Sequence, residues 1–489
     1  MSDATYTCTD GGAGLTRLAT WPPARALALT LAIAATGVTV GYLVAAGLWY
    51  VALALVLVLP GFVVLHRLPL AAVALWLLFA PYLLQTDGVP RYGYWIVHRA
   101  LPVITLVALV ASHTLGLRAR PFGRLGGPEV LMAMYVLVTT LSIAYTSAEA
   151  ATSLIALYDR VVIPMCLYLI VRLIRPTDES LRWLVPMAAI ILVAQTALGI
   201  ASWAAPETLP SDWIGRVGSR TIGSLGSPSV YGVTVLAAGA YLLHAAATAH
   251  RRAARTALRA LFGAAVLMAV VTFSRGVWLA AVVVVIAATF VHPASLRRVA
   301  FAFAPVLVVL AFTGAASGQI ATIGQRFGSE DTALERLPIA LASLRMFEEK
   351  PLNGWGYSTF DEFDRQFQSA VGGSIPEKDH ASHNVYLTLL AEQGLVGVLL
   401  FLGPAMWLFA RTIVTFSRLP RTGLASRKLI VLLWAVILAH VAVNNFSNMR
   451  VVYGLGQWWL VLGLIAALVS VPTAGERDEP SPVRSRASW

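Results

Sequence analysis

The fold is decided at the stretch His380-Ala381-Ser382-His383-Asn384-Val385-Tyr386, where a polar segment gives way to an apolar run. The polar segment begins near Ala321, and it is the one long polar segment in an otherwise apolar chain. Beyond Glu392-Gln393-Gly394-Leu395-Val396-Gly397 the composition is again lipid-like. Two histidines, an asparagine and an acid therefore lie where a water-exposed loop meets a hydrophobic helix. Such a boundary suits a substrate with one lipid end and one water-soluble end.

The composition of the whole chain is that of a membrane protein. Of its 489 residues, 58% are hydrophobic and 12% are charged, and the mean hydropathy is +0.74. Apolar runs of about 20 residues, enough to cross a bilayer as a helix, recur along it. These runs are continuous rather than alternating, which excludes a membrane β-barrel. The sequence predicts an all-α polytopic bundle of about 12–14 transmembrane helices, with one long extracytoplasmic loop between the last spans.

The apolar runs give a domain organisation. We predict a cytoplasmic N-terminal tail at 1–25, transmembrane helices in 26–318 and 383–472, an extracytoplasmic loop domain at 319–382, and a disordered cytoplasmic tail at 473–489. No cleavage pattern follows a short apolar run, so the first segment is interpreted as a tail rather than a signal peptide. The predicted spans are 26–47, 48–64, 68–84, 100–117, 130–145, 154–173, 183–204, 229–247, 261–273, 277–291, 299–316, 395–414, 429–443 and 455–471.

The net charge of +12 indicates membrane orientation rather than nucleic-acid binding. With these spans, five arginine-rich connections fall on one side, which the positive-inside rule makes cytoplasmic. They contain Arg118/Arg120/Arg124, Arg172/Arg175/Arg182, Arg251/Arg252/Arg255/Arg259, Arg297/Arg298 and Arg418/Arg421/Arg427/Lys428. The segment 321–382 then lies outside. Cys8 and Cys166 are the two cysteines, and they indicate neither a disulfide framework nor a zinc site.

A few arginines near the membrane fall on the outer side, where the orientation rule disfavours them. An anionic ligand at the outer leaflet is one reason for their presence. The alternative is that they bind lipid headgroups or pair with Asp87, Asp159 or Asp212. These arginines are Arg91, Arg99, Arg160, Arg216, Arg220, Arg275 and Arg450.

His383 is the candidate general base. If a helix begins at a Ser382 cap, His383 lies at the top of an apolar stripe with Tyr386 and Leu390, at the water–lipid boundary. A neutral imidazole there can take a proton from a sugar hydroxyl. The alternative is an interfacial histidine that only bonds a loop carbonyl, and His380 competes for the same role. Glu392, nine residues on, lies about half a turn round the helix, so the two are not a side-by-side dyad.

Two further stretches favour a diphosphate clamp. Residues 216–223 combine Arg216 and Arg220 with glycines that let backbone amides approach a ligand. Residues 272–276 place Arg275 in the outer turn between two helices, where a buried arginine is expensive unless it meets an anion. No Walker loop, Rossmann fingerprint or metal-ligand run is present, so we predict neither a metal nor a cofactor.

Three motifs together resemble the O-antigen ligase / O-antigen polymerase superfamily (Wzy-C type). They are Ser274-Arg275-Gly276, the loop run from Pro351 to Phe360 (PLNGWGYSTF), and the run from His383 through Glu392-Gln393-Gly394 to Gly397. The resemblance spans about 216–414, and the first half of the chain matches in hydropathy alone. About fourteen predicted spans, against the twelve expected of the ligases, is a departure from the family.

The resemblance implies a bacterial inner-membrane glycosyltransferase of cell-envelope, lipopolysaccharide or exopolysaccharide synthesis, with its active site facing the periplasm or cell exterior. It would move a glycan from undecaprenyl diphosphate to an acceptor hydroxyl, with inversion and without a metal. His383 would be the base, and Arg220 and Arg275, with Arg216, would hold the diphosphate. Supporting residues would be Arg99, Arg160, His380 and Glu392.

Alternatives remain open. A polymerase would hand the glycan to another carrier-linked repeat, and no residue decides between ligase and polymerase. A polysaccharide or lipid transporter would have to use the intramembrane cluster of His440, Asn444 and Asn445. A passive scaffold would leave the outer arginines unexplained.

Overall fold

The protein is described from a computed structural model, which describes residues 38–39, 42, 45, 61, 64–83, 91–117, 122, 125–146, 149–210, 213, 220–312, 331–368, 383–447 and 450–470. The chain divides into two units, Met1–Arg67 and Leu68–Trp489. The predicted tails and almost all of the predicted spans 26–47 and 48–64 lie outside the described residues.

The described part of the second unit is helical and contains no strand. Twelve long helices follow one another, and two more belong to the polar segment between the ninth and the last three. The helices are α1 Pro69–Leu83, α2 Trp95–Thr114, α3 Gly127–Thr146, α4 Ala150–Ile174, α5 Asp178–Ala204, α6 Pro228–Thr248, α7 Arg252–Val270, α8 Arg275–Val291, α9 Pro293–Phe312, α10 Asp331–Glu349, α11 Phe360–Phe367, α12 Val385–Thr415, α13 Arg427–Asn444 and α14 Val452–Val469.

These helices confirm the predicted all-α polytopic membrane fold. Among the described residues, nine are long and apolar enough to cross a membrane, and α1 and α8 are shorter apolar helices. One predicted start was wrong, because α7 begins at Arg252 rather than 261. The apolar run from 395 follows the break of α12 at Gly394, and the first piece of α12 begins at Val385. The first turns of α7 carry arginines, so hydropathy alone places its start too late.

The bundle is packed around α14. Almost every residue of α14 is buried, which fits a helix that is apolar on all faces. It packs against α4, while α8 packs on α13, α6 on α7, and α12 on α3. Trp76 of α1 stacks on Tyr453 at the start of α14, with ring centroids 5.1 Å apart.

Because consecutive helices alternate in direction, their connections collect at two ends of the bundle. At the basic end, which holds the arginine-rich connections, the Asp178 carboxylate accepts hydrogen bonds from the Leu424 and Ala425 amides at 3.1 and 2.7 Å. His244, near the end of α6, lies 2.9 Å from the Leu424 carbonyl and 3.0 Å from His292, which joins α8 to α9. At the opposite end, called here the site end, α6, α8 and α12 begin and α7 and α13 finish.

Candidate active site

A cavity of about 450 Å³ opens at the site end. It is lined by three of the residues predicted from the sequence, Arg220, Arg275 and His383, which come from three separate parts of the chain. Arg220 precedes α6, Arg275 is the first residue of α8, and His383 directly precedes the cap of α12. Arg216 and His380 lie outside the described residues.

The cavity also contains an arginine that the sequence analysis missed. Arg336 reaches it from α10, together with Ile339 and Ala340 on the same face, and donates to the Phe446 carbonyl at 3.3 Å. No motif surrounds Arg336. One signal was available in the sequence: Arg336 lies three and four residues before Ile339 and Ala340, a spacing that places all three on one face of a helix.

Positive charge therefore dominates this cavity, called here the arginine cavity. The described residues that line it include Arg220, Arg275 and Arg336 and no aspartate or glutamate. They also include the first residues of three helices: Ser227 to Ser229 at α6, Ser274 to Gly276 at α8, and Asn384 at α12. Each helix start carries the positive end of the helix dipole, and the starts of α6 and α8 have no side-chain cap on their N–H groups, so these elements favour an anion.

Two details of the predicted site, the burial of Arg275 and the cap of α12, need correction. Arg275 is exposed rather than buried in a tight turn, because it opens α8 at the mouth of the cavity. It does not carry the desolvation cost that the sequence analysis assigned to it. The argument for its role is instead its place in the cavity wall, beside the start of a helix.

The cap of α12 also differs from the predicted one. Asn384, not Ser382, caps the helix, and its side-chain oxygen accepts from the Tyr386 and Leu387 amides at 2.9 and 3.1 Å. His383 therefore lies outside the helix rather than at the top of its stripe. The Asn384 amide nitrogen also reaches the Asn445 carbonyl, 3.4 Å away, just beyond the end of α13. This contact ties the histidine segment to the opposite wall of the cavity.

Glu392 lies away from the arginine cavity. Its carboxylate pairs with Arg450 at 2.7 Å, and the two side chains are only 2% and 8% exposed. Although burial lowers the pKa of Arg450, the adjacent Glu392 carboxylate outweighs it, and the pKa of this guanidinium is raised above its ordinary value. The pair links α12 to the segment before α14, and loss of either partner would leave the other buried without its counter-charge.

Arg99 is held by an acid, as the alternative interpretation of the outer arginines allowed. Its Nε and Nη2 donate to the two carboxylate oxygens of Asp159, both at 2.6 Å, and its guanidinium lies 4.3 Å from the centre of the Trp95 ring. Arg99 does not line the arginine cavity. Arg160, next to Asp159, lines a separate cavity of about 120 Å³.

The loop motif and the glycine motif fit together as one structure. Gly394 has φ +60° and ψ −162°, which breaks α12 after two turns. The freed carbonyls of Ala391 and Glu392 accept from the Trp355 and Gly356 amides at 2.9 and 2.7 Å. In return, the Leu395 and Val396 amides donate to the carbonyls of 351 and 352 at 2.8 and 3.2 Å. These four bonds, called here the backbone clip, satisfy groups that would otherwise be unpaired in a membrane protein.

A small apolar cluster secures the clip. Trp355 packs against Phe363 and Phe367 of α11, with ring centroids 4.9 and 5.2 Å away. Its indole nitrogen donates to the Met346 carbonyl of α10 at 2.9 Å. The described part of the polar segment is thus anchored on the first turns of α12. Within the described residues, no group of three or more His, Cys, Asp or Glu side chains is placed to hold a metal ion.

Fold and cavity together define a polytopic α-helical membrane protein with a cationic site at one end of its bundle. Residues 260–402 match the family model described as O-antigen ligase, which confirms the resemblance that the motifs predicted. The matched region contains Arg275, Arg336 and His383, and it begins after Arg220. It indicates a function of O-antigen ligase type, with a lipid-linked glycan donor and an acceptor in the membrane. A search of curated proteins finds no match to this chain.

Proposed function

We propose that this protein transfers an oligo- or polysaccharide from undecaprenyl diphosphate to an acceptor hydroxyl at the outer face of the bacterial cytoplasmic membrane. The observation that carries the proposal is the arginine cavity, where three arginines, three helix starts and His383 meet. A diphosphate is the anion that such a set suits, because guanidinium forks match phosphate oxygens.

Cleavage of a glycosyl–diphosphate bond develops negative charge on the leaving group. Arg220, Arg275 and Arg336 are already in place around it, so they stabilise that charge without reorganisation at the moment of reaction. These fixed cations supply the role that a metal ion has in other phosphate chemistry, so the proposed reaction is metal-independent. His383 takes the proton of the incoming hydroxyl as the new bond forms.

A single displacement at the anomeric carbon inverts its configuration. The acceptor is a lipid or protein in a ligase and a carrier-linked repeat in a polymerase, and the cavity serves either. The product distinguishes the two: loss of the activity leaves unligated polymer in the first case and abolishes the length ladder in the second.

His383→Ala tests the proposal in the purified, full-length protein. We expect transfer from carrier-linked glycan to fall by about 10²–10⁴, the usual contribution of a general base. Binding of undecaprenyl diphosphate and thermal unfolding should be preserved, because His383 lies outside the helix. His250→Ala is the matched control, since His250 is exposed and follows α6 at the basic end. Full transfer by the His383 variant would remove this histidine from the mechanism.

A further inference from the structure

A second cavity with a different chemistry lies beside the first turns of α12. It has a volume of about 120 Å³ and is called here the mixed-charge cavity. Its polar lining consists of Arg160, Ser358, Asp361, Thr388, Glu392 and Arg450. Arg160 and Val451 also line a neighbouring cavity of about 160 Å³, whose other lining residues include Pro81, Leu225 and Val452. Space therefore continues past Arg160 with a mainly apolar lining.

The two sites differ in charge. The described lining of the arginine cavity has three cations and no acid, whereas the mixed-charge cavity has two cations and two carboxylates. A diphosphate would meet repulsion from Asp361 and Glu392 there. A saccharide would not, because sugar hydroxyls both donate and accept, and they bond carboxylates and guanidinium groups equally well. The lining thus suits a neutral polyol.

The mixed-charge cavity is also preorganised. Glu392 and Arg450 are fixed by their ion pair, and the second Glu392 oxygen accepts from the Phe360 amide at 3.3 Å. The Arg450 guanidinium lies 5.1 Å from the centre of the Tyr357 ring. Groups held in this way lose little freedom when a ligand binds.

The position of the mixed-charge cavity relative to His383 fits an acceptor. Leu387 lines the arginine cavity, and the next residue, Thr388, lines the mixed-charge cavity. The first turns of α12 therefore stand between the two, with His383 just ahead of them. An inverting displacement requires the acceptor to approach the anomeric carbon from the side opposite the leaving group, so the acceptor and the diphosphate lie on different sides of that carbon.

We propose that the mixed-charge cavity binds the terminal sugar of the acceptor and directs one hydroxyl toward His383. This inference rests on the proposed function. In the step, the acceptor oxygen bonds to the anomeric carbon of the donor glycan as the bond from that carbon to the diphosphate oxygen breaks. The hydroxyl proton goes to His383, and the electron pair of the broken bond leaves with the diphosphate held by the arginines.

Asp361→Asn and Arg160→Gln test this assignment in the full-length protein in detergent. The probes are undecaprenyl diphosphate, carrier-linked glycan, and a glycolipid acceptor fraction extracted from the envelope of the bacterium that produces this protein. We expect each variant to raise the half-saturating amount of acceptor about tenfold, as loss of a charged hydrogen bond does. The KM for donor and the Kd for undecaprenyl diphosphate should stay at wild-type values. Glu362→Gln is the matched control, because Glu362 is the exposed neighbour of Asp361 and does not line the cavity.

The outcomes separate this inference from the function on which it rests. Unchanged acceptor saturation in both variants overturns the acceptor assignment alone, provided that the wild type transfers glycan. Weaker binding of undecaprenyl diphosphate by the variants also overturns it, because the mixed-charge cavity would then belong to the donor. A wild-type protein that binds no undecaprenyl diphosphate and transfers no glycan overturns the proposed function and this inference with it.

Discussion

At the residue scale, the three arginines of the cavity come from two parts of the protein, the membrane bundle and the polar segment. Arg220 leads into α6 and Arg275 opens α8, so both belong to the membrane bundle. Arg336 belongs to α10 in the polar segment and reaches the bundle through its bond to the Phe446 carbonyl. A diphosphate bound by all three would join the polar segment to the bundle through charged hydrogen bonds, which are stronger than neutral ones.

Arg336→Gln is therefore expected to weaken undecaprenyl diphosphate binding about tenfold or more, the usual loss for one charged hydrogen bond. Equilibrium binding in detergent measures it. The control is Arg345→Gln: Arg345 lies on the same helix, is exposed, and donates to the Phe367 carbonyl at 2.9 Å away from the cavity lining. Equal affinities in the two variants would show that Arg336 does not contact the diphosphate.

What the sequence revealed at this scale depended on local motifs. Arg275 and His383 were found because each lies within a recognisable run, while Arg336 has no such surroundings. The conditional placement of the cap at Ser382 was wrong, because Asn384 caps α12. Both residue types cap helices well, and the contact of Asn384 with Asn445, 61 positions away, cannot be read from neighbouring residues. The pairing of Arg99 with Asp159 is likewise a contact between distant segments.

At the element scale, the backbone clip explains why a transmembrane helix tolerates a break near its start. Gly394 adopts a backbone conformation that is almost restricted to glycine, and a Cβ there would collide with the backbone of Leu352. Gly354 is equally constrained, since a Cβ there would meet the backbone of Glu392 and Gln393. The break and the loop turn are thus complementary, and each would leave unpaired backbone groups without the other.

Gly394→Ala should release the clip. We expect the amides of Trp355 and Gly356 to exchange hydrogen faster, because their acceptors on Ala391 and Glu392 would move, and backbone strain of about 1–3 kcal/mol should lower thermal stability. Hydrogen exchange followed by mass spectrometry on a peptide covering 351–358 measures the first effect. Gly116→Ala is the control, since Gly116 also has positive φ, at +70°, but has open space around its Cα. Unchanged exchange in the Gly394 variant would refute the clip.

The sequence predicted both halves of this structure without their union. Asn353-Gly354-Trp355-Gly356 indicates a turn, and Gly394 indicates a break or close packing. Their pairing requires the described polar segment to fold back on α12. Hydropathy does not indicate which residues of two distant segments lie opposite each other, so this pairing could not be predicted. By contrast, leucines at three- and four-residue spacing indicate a helix over 331–350 that either starts at Pro338 or kinks there. The structure shows one helix, α10, over Asp331–Glu349 with Pro338 inside it.

At the scale of the whole molecule, the arginine clusters of the connections and the arginine cavity lie at opposite ends of the bundle. The predicted arginine clusters lie in or beside the connections α4–α5, α6–α7, α8–α9 and α12–α13, and the arginine cavity opens at the other end. Alternation of the twelve described helices produces this arrangement, and it could be predicted because most of the spans are long and strongly apolar. The positive-inside rule predicts that the basic end faces the cytoplasm.

That assignment predicts which surfaces water-soluble reagents reach from outside the cell. Single cysteines placed at Glu362, on α11, and at Thr422, in the α12–α13 connection, occupy exposed positions at opposite ends. In a Cys8→Ser/Cys166→Ala background, a membrane-impermeant maleimide applied to spheroplasts should label Glu362→Cys, and should label Thr422→Cys only after permeabilisation. Retained glycan transfer in each variant confirms that the labelled protein is folded. The reverse labelling pattern would place His383 in the cytoplasm, where the proposed outer-face reaction cannot occur.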